Sequence, residues 1–325
     1  MEMVVHIVAA VISNTEGQIF IAKRPDNKHQ GGLWEFPGGK LEQNETREHG
    51  LARELEEELG ITIEHCSPLI RFRYDYPDKS VHLDVWRVDA YTGEAHGREG
   101  QETAWVSLDA LDDYEFPVAN KPIITAARLP DRYMVTPEPD PEKLDDYLLR
   151  LEQALQSGVR LVQYRAKKLD ASQWQLHAAA VVKLCKKYSA KCIVNTSIDD
   201  ALNISAHGVH LNSQRLFDFQ QRPIEKDLLL VASCHDQKDL QQAQLIDADF
   251  VVLSPVKATA SHPEATPLGW ECFAKMVKEI AVPVYGLGGM HVDDIDDALQ
   301  AGGQGIAAIR SLWPVSQLSS SPGSR

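Results

Sequence analysis

Between Gly38 and Ile61 the chain reads GGKLEQNETREHGLARELEEELGI, and no other stretch constrains the fold as tightly. Gly38-Gly39 after Pro37 predicts a turn. Residues 52–59, almost wholly strong helix formers, predict a helix with Gly60 at its C-cap. On that helix Glu54, Glu57 and Glu58 stand at i, i+3 and i+4 and share one face, beside a stripe of Leu51, Leu55 and Leu59 that can pack inward. Like charges at that spacing repel, so the arrangement asks for a cation between them. An all-oxygen ligand set suits Mg²⁺ or Mn²⁺ over zinc. The competing reading is an acidic, solvated amphipathic helix, which the glutamates around Leu55 alone do not exclude. The wider constellation is hard to obtain by accident: Gly39, five residues, Glu45, seven residues, Arg53-Glu54-Leu55, then Glu57-Glu58 and Gly60-Ile61.

At 325 residues the chain is long enough for two domains, each with its own core. Its net charge of −14 argues against a partner that is a nucleic-acid polymer or an anionic membrane, but not against nucleotides brought to an acidic site by a metal. Five scattered cysteines without a CxxC pair point to free thiols in a reducing, cytoplasmic setting. The apolar run 4–12 is short, contains His6 and lacks a basic segment before it. It reads as a strand and not as a signal peptide, and no run reaches transmembrane length.

In the first half, β-rich runs at 4–12 and 18–22 flank Asn14-Thr15-Glu16-Gly17, a hairpin signal. Alternating patterns at 69–76 and 81–88 are joined by Pro77-Asp78-Lys79, and Ala104-Trp105-Val106 follows as another strand. A mixed sheet with helices on its faces is expected. The stretch from Gly38 to Ile61 resembles the Nudix box and departs from it at no fixed position. Residues 1–128 therefore resemble a Nudix hydrolase domain, an α/β/α fold that cleaves a nucleoside diphosphate linked to another moiety with Mg²⁺ (or Mn²⁺). Gly97-Arg98-Glu99-Gly100-Gln101 and Phe116-Pro117-Val118-Ala119-Asn120-Lys121-Pro122 bring it closest to the MutT branch, the 8-oxo-dGTP diphosphatases.

That resemblance implies that the Gly38 carbonyl, Glu54, Glu57, Glu58 and Glu99 hold or serve the metal, with Glu99 a candidate base on a glycine-flanked loop. Arg53 would orient the glutamates. Arg24 and Phe36 would lie near the base of a nucleoside triphosphate, Asn120 would read the oxidised purine, and Lys40 would face the phosphates. Attack at the β-phosphorus would release a monophosphate and pyrophosphate. For Glu99 the plain alternative is a surface-loop carboxylate, and for Asn120 a turn residue before Lys121-Pro122.

Proline punctuation over 129–141 reads as a linker leading into a second domain. Beyond it, eight short apolar runs alternate with helical segments such as 144–155, 174–188 and 270–280. Eight βα units over 132–313 predict a (β/α)₈ TIM barrel, and the Ser-rich residues 314–325 a disordered tail. The strand ends carry Gln163, Arg165 and Lys167, then Asn195, His235, Thr259 and the Gly288-Gly289 turn. This cation and amide set suits a phosphate. In that order the motifs resemble the thiamine-phosphate synthase/TenI family, which implies a thiamine-pathway phosphate ligand.

The pattern also departs from that family. Thr196 stands where the synthase has an Asp after Asn195, and Asn212-Ser213-Gln214-Arg215 offers no Asp after His210-Leu211. His262 replaces the synthase lysine. Those aspartates hold the Mg²⁺ of the synthase reaction, so synthase chemistry is not expected here. A TenI-like tautomerase using His235 and a non-catalytic phosphate-binding barrel both stay open. His207, His210, Cys234 and His235 have no standard zinc spacing.

Overall fold

A computed structural model describes residues 4–27, 30–77, 79–259 and 264–315. They form two compact units: the body of the first is the chain through Leu129, and that of the second is Pro130–Phe273, Val284–Ala298 and the chain from Gly305. Among the described residues no helix is long and apolar enough to cross a membrane.

In the first unit β1 (Val5–Ile12) is one of the two inner strands of a four-stranded mixed sheet. β2 (Ile19–Lys23) and β3 (Trp34–Glu35) belong to a second sheet, and β4 (Gly38–Lys40) runs antiparallel along one edge of β1. Helix α1 (Arg47–Leu59) follows. The long strands β5 (Thr62–Asp75) and β6 (Ser80–Thr92) then pair antiparallel, and β6 lies parallel to the other edge of β1. β7 (Thr103–Val106) completes the second sheet, in the order β3-β2-β7, and α2 (Lys121–Arg128) closes the unit.

The turn at Asn14–Gly17 forms as expected: Gly17 takes φ 75°, and the Asn14 side chain accepts from the Glu16 and Gln18 amides. It does not close a hairpin within one sheet. Both edges of β1 are taken, by β4 and β6, so β2 continues into the other sheet after a single bridge at Ser13 and Ile19. Helix α1 begins a turn earlier than the run of strong helix formers, because Thr46 Oγ1 accepts the His49 amide as N-cap. It ends as expected at Gly60, in the left-handed region at φ 73°.

The second unit is a closed barrel of eight parallel strands: β8 (Arg132–Val135), β9 (Leu161–Tyr164), β10 (Lys191–Val194), β11 (Gly208–Leu211), β12 (Leu229–Cys234), β13 (Phe250–Leu253), β14 (Val284–Leu287) and β15 (Gly305–Ala308). Nearly every residue of these strands is buried, as expected for strands covered on both faces. Tyr133, Phe250 and Tyr285 pack ring against ring in the interior, with centroids 5.2–5.8 Å apart. Residues 129–141 include β8 itself: 129–131 lead into the strand, and 136–141 form a loop at its C-terminal end. His262 and residues 316–325 lie outside the described residues.

Candidate active site

Helix α1 buries Leu51, Leu55 and Leu59 against Val8, Ala10, Ile12, Phe20, Trp86 and Val88. That packing fixes the helix rotation and leaves the neighbouring face, with Glu54, Glu57 and Glu58, toward β4. Two glycines make the approach close enough. A Cβ on Gly38 would lie 2.1 Å from the Val8 carbonyl oxygen, and one on Gly39 would lie 2.3 Å from the Glu54 carboxyl carbon.

Arg53 organises the glutamates. Its Nε and Nη2 grip both oxygens of Glu45 at 2.9 Å each, and its Nη1 donates to Glu54 at 2.9 Å and to Glu57 at 3.2 Å. Nη2 also donates to the Lys40 carbonyl at 3.2 Å, which ties the helix to β4. The bidentate grip holds the Glu45 carboxyl down at about 2, and Glu45 in turn raises the Arg53 guanidinium. Glu58 is half-buried and accepts the Gly38 amide at 3.3 Å. Burial first, then the charges of Glu35, Glu54 and Glu99, push its carboxyl up to about 7.

The loop carrying Glu99 docks on the C-terminal end of α1. The Arg98 amide donates to the Glu58 carbonyl at 2.9 Å and Arg98 Nη1 to the Glu56 carbonyl at 2.8 Å. Glu99 itself is exposed, and its amide donates to Gln101 Oε1 at 2.9 Å. Among the described residues no three His, Cys, Asp or Glu side chains form a ready-made metal cage. The donors gathered here are nevertheless all hard oxygens beside a crowded, partly desolvated carboxyl, a set that fits Mg²⁺ or Mn²⁺.

On the base side, Phe36 is buried and stacks on Phe116 at 5.5 Å. Trp34 N–H donates to the Glu115 carbonyl at 2.8 Å, so the segment leading to Asn120 runs beside β3. Asn120 is only 9% exposed and caps no helix with its side chain. Arg24 forms an ion pair with Glu35. Lys40 is exposed.

At the C-terminal end of the barrel the Arg165 amide donates to Thr136 Oγ1 at 3.1 Å, and the amides of Lys167 and Lys168 donate to Glu138 Oε1 at 2.7 Å each. Gln163 is buried inside the barrel: its Nε2 reaches His210 Nδ1 at 2.5 Å and the Tyr133 hydroxyl at 3.3 Å. Asn195 follows β10, its amide donating to the Tyr164 carbonyl at 3.3 Å. His235 is exposed, with Nδ1 2.9 Å from the Ser254 carbonyl, an arrangement that puts the proton on Nδ1 and leaves Nε2 as the acceptor. Thr259 is half-buried. Gly288 and Gly289 take φ 105° and 64°, and a Cβ on Gly289 would lie 2.5 Å from the Ala258 carbonyl.

Residues 8–126 match the family model described as NUDIX domain, and residues 132–312 the model described as thiamine monophosphate synthase. The chain is a Nudix hydrolase joined to a member of the thiamine monophosphate synthase family. The Nudix half is 42% identical over 118 residues to the 8-oxo-dGTP diphosphatase of Escherichia coli (strain K12), spanning 36% of this chain and 92% of that protein. The synthase-family half is 35% identical over 182 residues to putative thiamine-phosphate synthase 2 of Aquifex aeolicus (strain VF5), spanning 56% of this chain and 96% of that protein. A solved structure from work on MutT of Aliivibrio salmonicida and Vibrio cholerae is 44% identical, covering 38% of this chain and 97% of its own, with a TM-score of 0.35.

Three residues of the Nudix and barrel sites escape sequence reading. Glu35 acts on Glu58 electrostatically but sits in a two-residue strand outside the box. Glu138, in a proline-rich stretch that reads as a linker, holds the Lys167 and Lys168 amides. His210 reads as a poor metal ligand, yet with Gln163, Tyr133 and Ser233 it forms a closed polar network. Only the alternation of β11, which turns His210 inward, could have signalled that role.

Proposed function

We propose that the Nudix site hydrolyses 8-oxo-dGTP, and related nucleoside triphosphates, to the monophosphate and pyrophosphate, a nucleotide-pool sanitation reaction. The observation that carries this reading is the 42% identity extending over 92% of an 8-oxo-dGTP diphosphatase. Glu54, Glu57, Glu58 and the Gly38 carbonyl would hold Mg²⁺ or Mn²⁺, which when bound neutralises phosphate oxygens and makes an attacking water more acidic. Arg53 keeps Glu54 and Glu57 on one face through charge-assisted hydrogen bonds. Glu99 takes the proton of the attacking water, its loop fixed by Arg98 on α1. Phe36, stacked on Phe116, walls the base site, with Arg24 beside it, and Asn120 reads the oxidised purine through its buried amide. Lys40 faces the phosphates.

The experiment is Asn120→Ala, scored as the ratio of kcat/KM for 8-oxo-dGTP to that for dGTP. The ratio falls by about tenfold or more, the scale expected when a hydrogen bond that distinguishes two substrates is lost. An unchanged ratio removes Asn120 from substrate reading.

The fusion itself favours a second reading, in which the Nudix site cleaves a thiamine-pathway pyrophosphate. Asn120→Ala separates the two, since a pyrimidine pyrophosphate does not use a purine-reading amide. In the barrel, Arg165, Lys167 and the Gly288-Gly289 turn bind the phosphate of a small thiamine-pathway ligand, with Asn195, Thr259 and Gln163 around it. His235, with Nε2 as acceptor, is the residue suited to proton transfer in a tautomerase.

A further inference from the structure

The loops after β9 and β11, the two strands that flank β10, carry cations without an ion-pair partner among the described residues. Arg165 and Lys167 follow β9, and Arg215 stands in the short helix Ser213–Leu216 after β11. Among the described residues none of the three enters an ion pair, in a chain whose net charge is −14. Arg215 is nevertheless held in place: its Nη1 donates to the Thr196 carbonyl at 2.5 Å, just past the end of β10. Its remaining guanidinium N–H groups are left to recognise something else.

Arg165 and Arg215 follow the two strands that pair with β10, one on each side of it. Both act electrostatically on the His210 imidazole, which burial first and then these two cations push down to about 3. The ring stays neutral between Gln163, Tyr133 and Ser233. The positive charge of this rim therefore comes from the guanidinium and ammonium groups alone.

A divalent cation does not fit here. Thr196 stands where the synthase pattern has one aspartate, and residues 212–215, which end in Arg215, offer no carboxylate where it has the other. Two carboxylates of these loops are each engaged through one oxygen: Glu138 Oε1 accepts the Lys167 and Lys168 amides, and Asp200 Oδ2 accepts the hydroxyls of Thr196 at 3.1 Å and Ser197 at 2.6 Å. A hard cation needs several oxygen ligands, whereas the Thr196 carbonyl is already bonded to a guanidinium.

We propose that the barrel mouth binds the phosphoryl oxyanion of a small phosphate ester or diphosphate without a divalent cation, with the Arg215 guanidinium supplying the charge a metal would bring, together with Arg165 and Lys167. The inference rests on the barrel being a phosphate-ligand domain. It concerns binding alone, with no bond made or broken. A planar, permanently charged fork suits this task because it recognises two oxygens of one phosphoryl group at once.

Titration calorimetry of the full-length chain with inorganic pyrophosphate, in EDTA and in Mg²⁺, provides the test. EDTA also silences the acidic Nudix site, which holds such an anion only through a cation. Pyrophosphate binds in EDTA, and Arg215→Ala weakens that binding about tenfold or more, the loss of one charge-assisted hydrogen bond. Arg215→Lys recovers part of it, keeping the charge without the fork. Binding seen only with Mg²⁺ and abolished by Arg165→Ala overturns the metal-free site but spares the phosphate-ligand reading. No binding under either condition overturns both. Binding in EDTA that a folded Arg215→Ala variant retains in full, its melting temperature unchanged, overturns the role of Arg215.

Discussion

Glu57 and Glu58 are adjacent in sequence and differ in environment. Glu57 is exposed and, among the described residues, held only by Arg53 at 3.2 Å, whereas Glu58 is half-buried with its carboxyl at about 7. Glu57→Gln therefore costs little stability. Its kcat for 8-oxo-dGTP falls by about a hundredfold or more, the scale of losing a metal ligand. A near-native rate in steady-state assays removes Glu57 from the metal set. For Glu58 the sign of the pH dependence follows from the shift. Between about 4.5 and about 7 the metal-free folded protein retains a proton that the unfolded chain has released, so stability falls as pH rises through that window. Divalent cations need the deprotonated form, so their affinity rises over the same range. Melting curves in EDTA at pH 5 and pH 7.5 check this: Glu58→Gln flattens the slope, and an unaltered slope contradicts the assignment. The residues of the box were legible in the sequence because their spacing repeats a helix face. Glu35 was not, because its effect on Glu58 arises from two strands and a helix meeting in space.

Helix α1 was legible as a helix from its composition, and its end from Gly60. Its start was not, since Thr46 lies before three residues, Arg47, Glu48 and His49, that no leucine stripe covers. Thr46→Ala exposes the His49 amide and costs about 1 kcal/mol, read as a lower denaturant midpoint of the Nudix unit. A larger consequence belongs to β4. In Gly39→Ala the new methyl displaces the Glu54 carboxyl, so activity falls with little change in melting temperature, the readout being kcat. The β-runs at 4–12 and 18–22 were each legible, but their pairing was not. Alternation says which face a strand buries, whereas its partners are decided by competition for edges, and β1 has given both of its edges away. In the barrel, β14 begins at Val284 because Pro283 has no N–H for the ladder.

At the scale of the whole molecule, two units of different families share one chain. The barrel was legible from eight apolar runs at near-regular spacing, since parallel strands buried on both faces need no alternation to be recognised. Its mouth was less so. The guanidinium of Arg215 meets Thr196 across loops nineteen residues apart, a contact visible only once β10 and β11 lie side by side. The two units are expected to answer metal removal differently: EDTA abolishes Nudix turnover and leaves pyrophosphate bound at the barrel rim, as calorimetry alongside a phosphate-release assay will register. The most direct measurement of the central claim is kcat/KM of the full-length protein with Mg²⁺ for 8-oxo-dGTP, dGTP, thiamine pyrophosphate and hydroxymethylpyrimidine pyrophosphate. A preference for 8-oxo-dGTP over all three by orders of magnitude is the predicted result. A preference for either thiamine-pathway pyrophosphate would contradict it and make both units servants of one pathway.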